Sequence, residues 1–375
     1  MKLKMTRRTN FVNFALLLFL SINLACTPEE EDGNSQADSF DRTAMLSHWA
    51  NDYIVPAYQN YHQETQALNQ AAQAYADAPN AANHAAVHKA FRHTYRAWQW
   101  VSFLEIGPAE QLSLRNLTNI YPASGPEIEQ ALAQSSYNLN LPSTFNEQGL
   151  PAIDYLLSGL GDPNATNSYF GSNADYGRYL QALTQRLENL SAQVLADWQG
   201  AYKQSFIDNS GASATASANK LINDFVFHYE KELRAGKVGI PAGVFSGGSL
   251  AQNVEAYHSD TLSKSLFQES LDAHLAFFRG DGFEGQAGGN SLLGYLNHLN
   301  GSNKRSNLGQ TIVNQMLEAE EKVQDLPNSF ATVVRNQNAD LLALYDVLQK
   351  NVVLLKVDMM QALNVRIDYI DADGD

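Results

Sequence analysis

Cysteine is almost absent: Cys26 is the only one in 375 residues. That excludes an internal disulfide framework and a thiolate zinc cluster. Positive charge is also scarce, with 25 lysines and arginines against 40 aspartates and glutamates and a formal net charge of −15. Such a surface repels nucleic acid and suits solubility outside the cell or attraction of small cations. No segment alternates apolar and polar residues as paired strands would, and no short repeat marks a solenoid. The apolar run Phe11 to Ile22 falls short of the roughly 20 residues that a spanning helix needs.

What is present at the N-terminus reads as an export signal over residues 1–25. Lys2, Lys4, Arg7 and Arg8 form a basic start, the apolar run follows, and Asn23-Leu24-Ala25 leads to Cys26. Removing those four positive residues takes the net charge from −15 to −19. Cys26 sits where a bacterial lipoprotein cysteine would sit, so lipidation is expected there; a plain secretory signal is the alternative. Thr27-Pro28-Glu29-Glu30-Glu31-Asp32 resembles the acidic tract that carries such lipoproteins to the outer face of the outer membrane, and residues 26–38 also suit a flexible tether. The expected location is the cell envelope, on the outer membrane through a lipid anchor, with exposure on the periplasmic face as the alternative.

From residue 39 onward helical periodicity dominates, over roughly 40–77, 83–106, 126–134, 150–159, 173–206, 216–233, 252–279, 290–300, 304–325 and 329–365. The expected fold is all-α. The small polar stretch 208–215 suggests a division into two packed helical bundles, 39–210 and 211–375. The last long helix, with Leu342, Tyr345, Leu348, Val352, Leu355, Met359 and Leu363 at helical spacing and further apolar residues beside them, is expected to be central.

The stretch Gly149-Leu150-Pro151-Ala152-Ile153-Asp154-Tyr155 reads first as a buried helix start. Pro151 suits the first helical position, Asp154 suits the exposed amides of the first turn, and Ile153, Leu156, Leu157 and Leu160 face inward. The same residues resemble the imelysin signature G-x-H-x-x-E. Tyr95-Arg96-Ala97-Trp98, Glu105-Ile106-Gly107-Pro108, Asn119-Ile120-Tyr121-Pro122, Gly239 to Val244, Val254 to Ser259 and the ending Asp371 to Asp375 extend the resemblance over essentially the whole mature chain.

The resemblance implies a two-domain helical lipoprotein with a cleft between domains, in a family first described as metallopeptidases and later linked to bacterial iron uptake. It places Gly149, Pro151, Trp98 and Gly243 among the motif and cleft residues. In the signature, His and Glu three apart on a helix share a metal. Here Pro151 replaces the histidine and Asp154 the glutamate, leaving half a motif.

Further ligand candidates are Glu105, at the end of an apolar helix face, and the pair Glu255 and His258, three apart in a segment read as helix or its entry. A salt-bridged residue and a polar helix face are their plainer readings. His84 and His88, four apart, could share a metal but lack the glutamate of H-E-x-x-H. Asp371, Asp373 and Asp375 start like a calcium loop without its closing glutamate. Asp154, Glu105, Glu255 and His258 therefore form the expected metal set, for iron or another divalent cation.

Three functions compete. A surface binding protein would capture an iron-containing ligand or iron chelate in the cleft. A zinc peptidase would need about three ligands, an open position and a base, and the loss of the motif histidine disfavours it. An adhesion or interaction scaffold is the third.

The Cys26→Ser precursor should remain uncleaved or be released from the membrane, as fractionation and immunoblotting would read. Membrane retention equal to wild type would contradict lipidation at that residue.

Overall fold

Residues 39–283, 285, 289–303 and 307–369 are described in the computed structural model. Cys26, the tether and the acidic ending lie outside them. Among the described residues every regular element is a helix and there is no strand, so the fold is all-α.

The first half is built on three long helices. Helix α1 (Val55–Asp77) is entered through Arg42–His48 and a wide turn, Trp49–Ile54; α2 is Ala81–Gln99 and α4 is Ala174–Gln199, with the short α3 (Gly149–Asp154) between them in sequence. Helix α1 buries Ala57, Tyr58, Tyr61, Leu68, Ala72 and Tyr75, a set at 3.6-residue spacing that forms one stripe. It lays that stripe between α2 and α4. Asn80 starts α2, its side-chain oxygen accepting from the Ala82 and Asn83 amides at 3.0 Å, which satisfies two donors that the helix leaves unpaired.

The second half contains α5 (Ser217–Phe227), which widens into a π-helix over His228–Gly239, then α6 (Ser263–Arg279), α7 (Leu308–Gln324) and α8 (Asn338–Val353). Pro241 lies just beyond the π segment and has no N–H to return to the carbonyls before it. Helix α8 packs on the π segment and on α7. It buries Leu341, Leu344, Leu348 and Val352, but Leu342 and Val353 are exposed. The last helix is thus covered on one side only, not the enclosed helix its composition suggests, because its neighbours reach only that face.

The described residues cluster as one compact unit, and buried apolar residues from both sides of 208–215 belong to one continuous core. Several expected boundaries shift. The helix read as 83–106 ends at Gln99, the one read as 252–279 begins at Ser263, and the one read as 329–365 breaks between Asn336 and Asn338. Residues 254–262 are turns instead of helix, and Ala256 sits there at φ +54°, a left-handed conformation that no helix interior accepts.

Candidate functional site

The motif turn is set by Gly149. Its φ is +74°, and a Cβ there would lie 2.3 Å from the Thr118 carbonyl oxygen. Only glycine fits, since the conformation and the close backbone approach both exclude a side chain. Pro151 follows two residues later, inside the first turn, where a missing N–H still costs nothing. This is later than the first helical position expected from the sequence.

Asp154 closes α3, and the chain then widens into a π turn, Tyr155–Gly159. Its carboxyl is only 2 % exposed. Oδ2 accepts from the His258 amide at 2.9 Å, nearby Ser259 also favours the charged carboxylate, and Oδ1 is buried without a hydrogen-bond partner. Burial pushes its pKa up to about 6, against the lowering effect of those neighbours. The stabilising amides therefore come from the turn at 258–259. They are not those of Asp154's own helix, as first expected, because Asp154 lies beyond its first turn.

Glu255, 2 % exposed, shares this locality. Its Oε1 accepts from Asn119 Nδ2 at 2.7 Å and Gln99 Nε2 at 3.3 Å, and its Oε2 is bound by the buried ammonium of Lys237. Lys237 also donates to Gln99 Oε1 at 2.8 Å. Tyr95 completes the cluster by donating to Asn119 Oδ1 at 2.6 Å. Burial raises the Tyr95 pKa well above its ordinary value, with Glu255 and Asp154 both adding to the effect.

His258 presents its amide to Asp154, while its ring lies edge-on to Tyr155 and Tyr257 at 5.4 and 5.2 Å. Burial lowers its pKa, favouring the neutral ring. His84 and His88 do not converge on a shared ligand. His84 Nε2 meets the Leu157 carbonyl at 3.1 Å and His88 Nε2 the Ser158 hydroxyl at 2.9 Å, so both tie α2 to the π turn.

Glu105 belongs to a different cluster. It lies past the end of α2, where Oε2 accepts from the Arg115 amide at 2.8 Å and its own amide donates to Asp224 Oδ2 at 2.6 Å. Arg115 also donates to Asp224 Oδ1 and to the Ser102 carbonyl, both at 2.9 Å. Burial lifts the Glu105 pKa to about 7, with Arg115 opposing. Burial works against the Arg115 charge too, yet Asp224, Glu105 and Glu232 outweigh it and hold that pKa above its usual value. Trp98 is a core residue packed on Tyr61 at 5.5 Å. Gly243 ends the short helix Ile240–Ala242 at φ +86° with its Cα against the Gly248 backbone.

As arranged, these donors do not fit a metal ion. Glu255 already has a cation of the chain's own, Glu105 is occupied with Arg115, and Pro151 offers no side-chain ligand. Of the candidate carboxylate oxygens, Asp154 Oδ1 is buried and unpartnered. Among the described residues no three histidine, cysteine or carboxylate side chains are grouped to hold a metal. Sequence reasoning missed Lys237, Gln99, Asn119, Arg115 and Asp224. The one available signal was Lys237 itself, four residues after the buried Leu233 and next to the buried Val238, a charge on an apolar helix face.

Asp154→Asn should expose the burial of the charge. The folded pKa of about 6 lies above the ordinary 3.8, so the stability lent by the protonated carboxyl is full below about pH 4 and is lost as pH rises through 6. In urea unfolding the variant should gain on wild type between pH 4 and 7, by up to about 3 kcal/mol. A difference that stays flat across that range would contradict the assignment.

The sequence pattern of the imelysin family matches residues 54–356. Among solved structures, an imelysin-like protein from Psychrobacter arcticum 273-4 is similar, with a TM-score of 0.67 and 18% identity, over 89% of this chain and 99% of that one. A protein described as an iron-regulated protein A precursor from Parabacteroides distasonis ATCC 8503 aligns with a TM-score of 0.68 and 15% identity, over 86% of this chain and 98% of that one. At those identities the likeness concerns the fold. A search of curated proteins finds no relative of detectable similarity. With about four-fifths of its length matched, the chain belongs to the imelysin family.

Proposed function

We propose that this imelysin-family chain is a cell-envelope binding protein linked to iron uptake and has no peptidase activity. The observation that carries the reading is the Lys237 ammonium on Glu255. A hydrolytic zinc site needs about three protein ligands, an open coordination position and a base. In this chain Pro151 stands where the motif has its histidine, and the charge of Glu255, on the same 254–262 turns that give Asp154 its amide, is already neutralised from within. Support for the iron link comes from the Parabacteroides structural relative, whose description names it iron-regulated. In this reading the iron arrives with its own chelating groups, so the protein need not supply a coordination shell.

Attachment to the outer membrane through lipidated Cys26 belongs to the same proposal and rests on the sequence signals around that residue. No helix among the described residues is long and apolar enough to cross a membrane, which is compatible with a lipid anchor.

Titrating the mature protein with ferric, ferrous, zinc and haem species, beside its Asp154→Ala variant, tests the reading. Saturable binding of haem or another iron species is expected, together with intact casein after incubation with zinc. Absence of binding by every iron species would overturn the iron link. Casein cleavage abolished by a chelator, in a preparation shown free of contaminating proteases, would restore the enzyme.

A further inference from the structure

Helix α2, AANHAAVHKAFRHTYRAWQ, contains three cationic side chains, three histidines and no acid, in a chain where acids outnumber lysines and arginines 40 to 25. Lys89, Arg92, His93 and Arg96 stand at positions i, i+3, i+4 and i+7, which puts them on one face. With a rise of about 1.5 Å per residue, Lys89 and Arg96 are spaced about 10 Å along the axis. That face lines a cleft of about 480 Å³ with His88 and Pro163.

Charge compensation in the cleft is incomplete. Arg96 Nε lies 3.8 Å from Glu269, which is also held by Trp100 Nε1 at 2.7 Å, and His93 Nδ1 lies 4.0 Å from Glu64. Lys89 is exposed and Arg92 half-buried, and neither makes a hydrogen bond or ion pair among the described residues. Arg92 and Arg96 are four apart on the helix, an arrangement that like charges disfavour. Burial lowers the Arg92 pKa and Arg96 lowers it further. The floor is fixed, since His84 and His88 tie α2 to the π turn of the motif. A half-buried guanidinium beside a second one, on a rigid floor and without a protein partner among the described residues, suits an anion.

We propose that this cleft is a binding site for a small multivalent oxyanion, a polycarboxylate or a polyphosphate, held by Arg92 with Lys89 and Arg96. Guanidinium groups bind both chemistries bidentately, and the volume lies within the range of small-ligand pockets. The inference goes beyond the iron reading, because its probes carry no iron.

Calorimetric titration of the mature protein at low ionic strength, with citrate in one series and pyrophosphate in another, tests it. Saturable binding of at least one anion is expected, weakened at least tenfold by Arg92→Gln, lost in the Lys89→Gln/Arg92→Gln double variant and reduced by added salt. Binding of citrate alone identifies a polycarboxylate site, and binding of pyrophosphate alone a polyphosphate site. Both positions lie outside the core, and far-ultraviolet circular dichroism of each variant verifies the fold. Failure of both anions to bind, or affinity unchanged by Arg92→Gln in a folded variant, would overturn the proposal.

Discussion

The ion pair between Lys237 and Glu255 is the contact on which the rest of this site depends. Both side chains are nearly sealed from water, at 4 % and 2 % exposure, so each would carry a large desolvation cost alone. The cost is met by convergence. Gln99 from α2, Asn119 from the connection after it, Lys237 from the π-helix and Glu255 from the 254–262 turns meet through four hydrogen bonds and charge contacts. Segments separated by more than a hundred residues are thereby fixed to one another. Once Glu255 is anchored, the turn that carries it delivers the His258 amide to Asp154, and the motif helix is held from the far side of the molecule.

The wide helical turns matter to that delivery. One follows Asp154 directly and another carries Lys237. A π turn rotates the following side chains relative to an α-helix and often occurs at functional positions. Here it lets α3 end with its carboxylate facing the 258–259 turn while Leu157 and Ser158 offer their oxygens to His84 and His88. The same turn thus separates two environments, a sealed, charge-matched cluster on one side and a cationic cleft on the other.

Much of the helical framework was legible in the sequence, because stripes such as Tyr58, Tyr61, Leu68 and Tyr75 report a buried face without reference to partners. The half-motif at Pro151 and Asp154 was legible through the family resemblance, but the demand for glycine at 149 comes from a close approach to the Thr118 carbonyl that the sequence does not display. Partnership was less accessible. Glu255 and His258 looked like helix neighbours, but Ala256 in a left-handed conformation turns one toward Lys237 and leaves the other to give its amide to Asp154. Glu105 was open to two readings, a cleft carboxylate and a salt-bridged residue at a helix end, and Arg115 holds it in the second through contacts that no local spacing announces. Lys237 lay beyond the expected end of its helix at residue 233, so its place on the buried face went unread.

The central claim is that the cation at the heart of the motif region is an ammonium of the chain itself. A double-mutant cycle of Lys237→Met and Glu255→Gln, read by urea unfolding at pH 7, tests it most directly. Each single substitution strands a buried charge and should cost about 3–5 kcal/mol, with the double variant losing far less than the sum. Additive losses, or a Lys237→Met variant as stable as wild type, would contradict it.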